Sequence, residues 1–115
     1  MNTYYESQLQ PIYKGDTATI GLKVLQDNGK YMNFNGKTIK FIVKKSKNET
    51  DNESIIYKTY EPTTNVDNID ISLSEDETNK TPGMYLWSVR VLYEGQQITE
   101  GEGKLEIKQG VFYGK

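Results

Sequence analysis

The sequence predicts an all-β domain, an antiparallel sandwich of about seven to eight short strands. Three observations predict it. Apolar residues recur at every second position along most of the chain, the period of a half-buried strand. Turn residues break that alternation roughly every eight to twelve residues, the spacing of sandwiches and barrels. No long stretch carries the 3.6-residue period, so helix is expected for one turn or two at most.

Each element follows from its own residues. The first long strand starts near Thr17, with Ala18, Ile20, Leu22 and Val24 apolar and Thr17, Thr19, Gly21 and Lys23 small or polar. It ends at Asp27-Asn28-Gly29, because Asn and Gly accept the positive φ of tight turns. A short strand over residues 31–34 leads to a second turn at Asn35-Gly36. Residues 37–45 alternate next, Ile39, Phe41 and Val43 facing in, Lys40 and Lys44 facing out. Residues 46–53 are polar without a period and read as a loop. Residues 54–60 form an edge strand closed by Pro62, which cannot donate to a ladder. Residues 68–73 place Ile69, Ile71 and Leu73 on one face. Ser74 and Glu77 have capping-box spacing, which predicts one helical turn over residues 74–78.

The segment from Thr81 to Val91 is the most specific. A tight turn at Pro82-Gly83 runs into Gly-x-Tyr-x-Trp and then into alternation through Val91. This order resembles the corner of an immunoglobulin-like sandwich, where a Tyr hydroxyl bonds back to upstream backbone and locks the start of a central strand. Tyr85 stands at that position, and Trp87 stands where antibody domains carry a disulfide Cys. The fold class is therefore an immunoglobulin-like antiparallel β-sandwich. Its expected structural core includes Tyr85, Trp87, Val89, Val91, Ile20, Leu22 and Phe41. Glu94-Gly95 makes the next turn. In the last strand Ile98 is apolar at an even position, whereas Leu105 and Ile107 are odd. The inward parity must change between Thr99 and Gly103, which predicts a β-bulge with Gly101 and Gly103 as its natural place.

Length and composition bound the function. A chain of 115 residues is one domain, 1–115, with a sandwich core over 8–108 and an apolar C-terminal tail over 109–115. Fourteen basic residues against sixteen acidic ones leave no basic field for a phosphate backbone, so no nucleic acid partner is expected. There is no Cys and no His, which removes disulfides, thiolate metal sites and the commonest general base. Residues 1–10 contain no apolar h-region, and no run approaches the roughly 20 apolar residues of a membrane helix. Neither a signal peptide nor membrane insertion is expected.

The candidate chemical groups all read better as surface or core. Glu75, Asp76 and Glu77 sit on an expected exposed turn, and Glu102 and Glu106 alternate with inward Leu105 and Ile107 beside Glu100. Glycosidase chemistry needs a carboxyl raised by burial across a cleft from its partner. Asp51, Asn52, Glu53, Asp67, Asn68 and Asp70 are loop oxygen donors without a calcium-loop spacing. Three N-x-Ser/Thr sequons, at Asn48, Asn52 and Asn79, are expected of an Asn-rich chain. Lys14-Gly15-Asp16-Thr17 lacks Walker spacing and reads as the turn into the first long strand. Trp87 as an aromatic ligand platform competes with Trp87 as core, and its alternation with Val89 and Val91 favours core. No catalytic, cofactor-binding or metal-binding residue is expected, and no enzyme activity.

Exposed apolar residues give the clearest surface signal. Met84, Leu86 and Leu92 have the parity opposite Trp87, and the ends carry Tyr4, Tyr5, Val111, Phe112 and Tyr113. Grouped apolar surface marks contact with another chain. Met84, Leu86, Leu92, Tyr4, Tyr5, Phe112 and Tyr113 are thus the candidate partner contacts. A carbohydrate- or cell-surface-binding module is the alternative. It requires a row of exposed aromatics, for which Tyr31, Tyr57 and Tyr60 are the candidates.

Three segments carry a family resemblance. They are Ile12-x-Lys14-Gly15-Asp16-Thr17, Asn35-Gly36-Lys37 before Ile39-x-Phe41-x-Val43, and Pro82-Gly83-Met84-Tyr85 with the later Gly103-x-Leu105-x-Ile107. Together, over residues 8–108, they resemble the N-terminal domain of the phage baseplate upper protein family. The resemblance implies an immunoglobulin-like structural and docking module of a phage or prophage tail or baseplate. It would be made in the bacterial cytoplasm and located in the virion. Its partners would be other tail or baseplate subunits and further copies of itself. In that family the domain leads a longer chain, whereas this sequence stops at Lys115. The family implies no catalytic residues and no cofactor.

Overall fold

The computed structural model describes residues 4–5, 12–46 and 54–110. Nine strands and one helical turn fall within them, in the order β1 (Tyr4–Tyr5), β2 (Ile12–Tyr13), β3 (Ala18–Leu22), β4 (Val24–Leu25), β5 (Thr38–Lys44), β6 (Ile56–Tyr60), β7 (Ile69–Leu73), α1 (Glu75–Thr78), β8 (Gly83–Tyr93) and β9 (Gln96–Lys108). One sheet has five strands in the order β2-β9-β8-β5-β6; β3 and β7 form a second, and β1 pairs with β4. The all-β, sandwich-like class is as expected. One detail departs from a purely antiparallel sheet. β2 lies parallel to β9, with Ile12 opposite Ile107 and Tyr13 opposite Lys108, so the large sheet is mixed.

The period-two pattern explains the two-layer packing. In β3 and β7, Ile20, Leu22, Ile69, Ile71 and Leu73 are buried, and alternate residues are exposed. In the large sheet Ile39, Phe41, Val43, Tyr85, Val89, Val91, Leu105 and Ile107 are buried. Both sets join one hydrophobic cluster, so the sheets face one another across a shared core. Of the expected core residues, Ile20, Leu22, Phe41, Tyr85, Val89 and Val91 are buried, and Trp87 is half-buried against the cluster.

The corner before β8 has the expected bond. The Tyr85 hydroxyl donates to the Thr81 carbonyl, four residues upstream. Tyr85 is 4% exposed, and burial raises its phenol above the ordinary value, so it stays a donor. β8 then runs eleven residues to Tyr93 and turns back through Glu94 and Gly95, at φ 51° and 79°. Two successive positive φ values match the right-handed twist of a two-residue hairpin, and Gly takes the second without strain.

Two expectations are corrected. Residues 31–34 form no strand; Tyr31 makes a single bridge to Leu25. The Met32 N–H donates to the Val24 carbonyl at 2.8 Å, and the Phe34 N–H donates to Val66, also at 2.8 Å. Donors that alternate between two segments cannot build one ladder. The loop instead inserts Met32 and Phe34 into the core, at 2% and 0% exposure. The register shift in β9 lies at Ile98, not at the glycines. Val91 faces Thr99 while Leu92 faces Gln97, so Ile98 is the extra residue, and it packs on the core. Gly101 and Gly103 stay in regular register opposite Val89 and Trp87.

The helical turn closes one edge of the sandwich. Both capping-box bonds form: the Glu77 N–H donates to Ser74 Oγ at 3.2 Å, and the Ser74 N–H donates to Glu77 Oε1 at 2.9 Å. The Thr78 hydroxyl, fully buried, donates to the Asp16 carbonyl at 2.6 Å. Glu77 Oε2 also pairs with Lys58 Nζ at 2.8 Å, joining α1, which follows the small sheet, to the edge strand of the large one. Burial by itself would raise the Glu77 carboxyl. The Lys58 ammonium and the Ser74 N–H and hydroxyl outweigh it and hold the carboxyl below its ordinary value.

Two measurements check this frame. Tyr85→Phe removes the hydroxyl that bonds to the carbonyl of exposed Thr81, so urea unfolding should show a loss of about 1 kcal/mol, the net value of one hydrogen bond. An unchanged midpoint would mean that the corner bond adds nothing. Stability from a depressed carboxyl is complete above its unfolded value, near pH 4.3, and is lost as pH falls through the lower folded value. Glu77→Gln should therefore cost less than about 1 kcal/mol at neutral pH, the pair being partly exposed, and should flatten the acid limb of the stability curve. An acid limb equal to the parent's would show no linkage at this pair.

Candidate docking face

Strand alternation gives the large sheet a second, outward face. On β8 it presents Met84, Leu86, Ser88, Arg90 and Leu92, the residues between the buried Tyr85, Val89 and Val91. Cross-strand register extends these into rows. Tyr57, Ile42, Ser88 and Glu102 form one row across β6, β5, β8 and β9. Lys44, Leu86 and Lys104 form the next, and Met84 lies opposite Glu106. Tyr13, on β2, alternates with buried Ile12 and so joins the same face.

The face is apolar and charged at once. Met84 is 61% exposed, Tyr13 49% and Tyr57 46%, while Leu86 and Leu92 are half-buried. Ile42 is buried to 8% exposure although it points away from the core. Lys40, Lys44, Arg90 and Lys104 surround it in the register rows. Among the described residues no strand or helix packs over this face.

A hollow of about 410 Å³ opens in it. Ile42, Leu86 and Ser88 form its sheet floor, Lys44, Arg90, Lys104 and Glu102 supply charge, and Trp87 and Gly103 also line it. A smaller hollow of about 80 Å³ shares Ile42, Ser88 and Arg90 and extends to Tyr57, Leu92 and Gln97. The Ser88 hydroxyl oxygen is buried and has no hydrogen-bond partner among the described residues. Trp87 packs on the core while lining the hollow, and Gly103 makes that position available to its ring. A Cβ at residue 103 would lie 2.7 Å from Trp87 Nε1 and 3.0 Å from Cε2. This close approach is the structural reason for a glycine there.

The candidate partner contacts divide accordingly. Met84, Leu86 and Leu92 share the outward face. Tyr4 and Tyr5 form β1 against Leu25 and Val24, their side chains lying outside what is described; Phe112 and Tyr113 lie outside the described residues. The aromatic row required of a sugar platform does not form. Tyr57 is on the outward face, Tyr60 packs against the core, and Tyr31 lies under Lys23 Nζ, 4.7 Å from its ring centre. Glu75 and Asp76 are exposed on α1, and Asn68 Nδ2 donates to Asp70 Oδ1 at 2.9 Å. Among the described residues no group of three His, Cys, Asp or Glu side chains could hold a metal; Asp51, Asn52 and Glu53 lie outside them.

Sequence reasoning passed over Ile42, Ser88, Arg90, Lys104 and Tyr13. Ile42 carried a signal: it breaks the alternation of Ile39, Phe41 and Val43 by placing an apolar side chain at an outward position. Comparison of the chain with family models and with curated proteins finds no match.

The Trp87–Gly103 contact makes a direct prediction. Gly103→Ala forces the indole to shift in a packed setting, at a cost of about 1–3 kcal/mol in urea unfolding. Emission from the sole tryptophan should change with it. Parent stability together with parent emission would show that the ring does not depend on the glycine.

Proposed function

We propose that this chain is a non-enzymatic docking module that acts through protein–protein contacts. One observation carries the reading: the outward face of the five-stranded sheet groups Tyr13, Tyr57, Met84, Leu86 and Leu92 with no described element over them. Apolar groups on one sheet face, interleaved with Lys44, Arg90 and Lys104, give that face the mixed character of a non-obligate interaction surface. The family resemblance at Lys14-Gly15-Asp16-Thr17 and Pro82-Gly83-Met84-Tyr85 narrows the proposal to a phage or prophage tail or baseplate, within the virion. The partners are then neighbouring tail subunits or further copies of this chain. Symmetry would multiply a modest contact into a stable one. The sandwich supplies rigidity, and the face supplies complementarity; no chemical step is assigned to any residue.

The reading expects tail and baseplate genes beside the gene for this chain. It also expects Met84→Asp with Leu92→Asp to fold cooperatively with a thermal midpoint lowered by several degrees, Met84 being exposed and Leu92 half-buried. The same double variant should weaken association, with itself or with the products of those genes, by at least about tenfold, because it buries charge in an apolar contact. Size-exclusion chromatography with light scattering reads the result. Association unchanged in a folded double variant sinks the outward face as the docking surface.

A further inference from the structure

We infer that Asn28 is a site of spontaneous self-modification, deamidation to aspartate or isoaspartate, and that the fold withholds the same reaction from Asn35. These are the two asparagines of the chain that precede a glycine, Asn28-Gly29 and Asn35-Gly36. Glycine has no side chain to hinder ring closure at its nitrogen. The glycine backbone nitrogen, its proton taken by hydroxide, attacks the asparagine Cγ. The Cγ–Nδ2 bond breaks, Nδ2 leaves as ammonia with a proton from water, and a cyclic succinimide remains. Water then opens either ring carbonyl, giving Asp or isoaspartate. Water is the sole co-reactant, and the chemistry is independent of what the outward face binds.

Both asparagines are exposed, so access to water does not choose between them. What differs is the hold on the attacking nitrogen. Around Asn28 that hold is local. The Gly29 N–H donates to the Gln26 carbonyl at 3.0 Å, and the Gln26 N–H donates to the Lys30 carbonyl, also at 3.0 Å. Residues 27–30 are all exposed, so freeing the Gly29 nitrogen opens a turn and uncovers no core side chain. The Lys30 N–H also donates to Asn28 Oδ1 at 2.9 Å. A donor on that oxygen draws electrons from Cγ and stabilises the negative charge that Oδ1 takes up when Cγ is attacked.

Around Asn35 the hold is tertiary. The Gly36 N–H donates to the Pro62 carbonyl at 3.0 Å, and the Phe34 N–H donates to the Val66 carbonyl at 2.8 Å. Asn35 Nδ2, the leaving nitrogen, donates to Asn65 Oδ1 at 3.1 Å, and Asn33 Nδ2 donates to the same oxygen at 3.0 Å. The Gly36 nitrogen is freed only when residues 33–36 part from residues 62–66. That separation disturbs the seat of Phe34, which is fully buried. Openings that spare the core cost less than openings that breach it. The products differ in consequence as well. Asp at position 28 still accepts from the Lys30 N–H, whereas a carboxylate at position 35 would set an acceptor against Asn65 Oδ1. Either conversion adds one negative charge to a chain that carries −2.

The test incubates the full chain in mildly alkaline buffer, once folded and once in concentrated urea. Peptide mass spectrometry with electron-transfer fragmentation follows Asp and isoaspartate at each position over time. In the folded chain Asn28 should convert at least about tenfold faster than Asn35, the ratio set by the difference in opening free energy. In urea the two rates should converge, since the reacting dipeptides are the same. The Asn28 rate should rise with pH, because the attacking nitrogen must lose its proton. Asn65→Ala should speed Asn35 severalfold and leave Asn28 unchanged. Equal rates in the folded chain, or a faster Asn35, overturn the inference. So does a ratio in urea as large as the folded one, which assigns the preference to neighbouring sequence and not to the fold. Absence of conversion at Asn28 in the folded chain, over a time in which the urea sample reacts, overturns it too. An Asn35 rate unchanged in folded Asn65→Ala overturns the shielding assigned to that contact.

Discussion

The register of β8 is the constraint on which both faces of the large sheet depend. β8 is the long central strand, paired to β5 on one side and to β9 on the other. Its odd residues Tyr85, Val89 and Val91 fill the core, and its even residues Met84, Leu86, Ser88, Arg90 and Leu92 make the outward face. A slip of one residue would exchange the two sets. The Tyr85 hydroxyl, bonded to the Thr81 carbonyl, anchors the strand at its first turn and so fixes which set points in. A single buried hydrogen bond is worth only about 1 kcal/mol, but here it sits where the whole alternation begins.

The rest of the frame holds the two sheets against this strand. Phe34 and Met32 enter the core from a loop whose N–H donors reach two different segments, so the loop is held without being a strand. At the opposite kind of position, an edge, Glu77 closes the capping box of α1 and pairs with Lys58 of β6. The hydrophobic cluster supplies most of the favourable free energy, and these polar contacts specify where each loop lies.

Core and surface meet at Trp87. The ring packs on the cluster and lies against the bare backbone of Gly103, and Trp87 is also among the residues that border the hollow. The same strand that secures the sandwich also presents Leu86, Ser88 and Arg90 to the hollow.

Much of this was legible in the residues themselves. Strand alternation, the Asn-Gly, Pro-Gly and Glu-Gly turns, the Ser74–Glu77 capping box and the Tyr85 corner are local patterns, and local sterics and hydrogen bonding decide them. The outward parity of Met84, Leu86 and Leu92 followed from the same period. What the residues could not state depends on partners distant along the chain. Met32 and Phe34 are core because Val24 and Val66 hold their loop in place. The bulge falls at Ile98 because the core accepts that side chain there, while Gly103 is needed by an indole sixteen positions earlier in the chain, Trp87 being its cross-strand neighbour. The hollow joins Lys44, Ser88 and Lys104 only after β5, β8 and β9 are in register. Period and turn chemistry act between near neighbours, so the sequence alone determined the strands and their faces; the assembly of a site requires long-range pairing, and only the tertiary structure decided that.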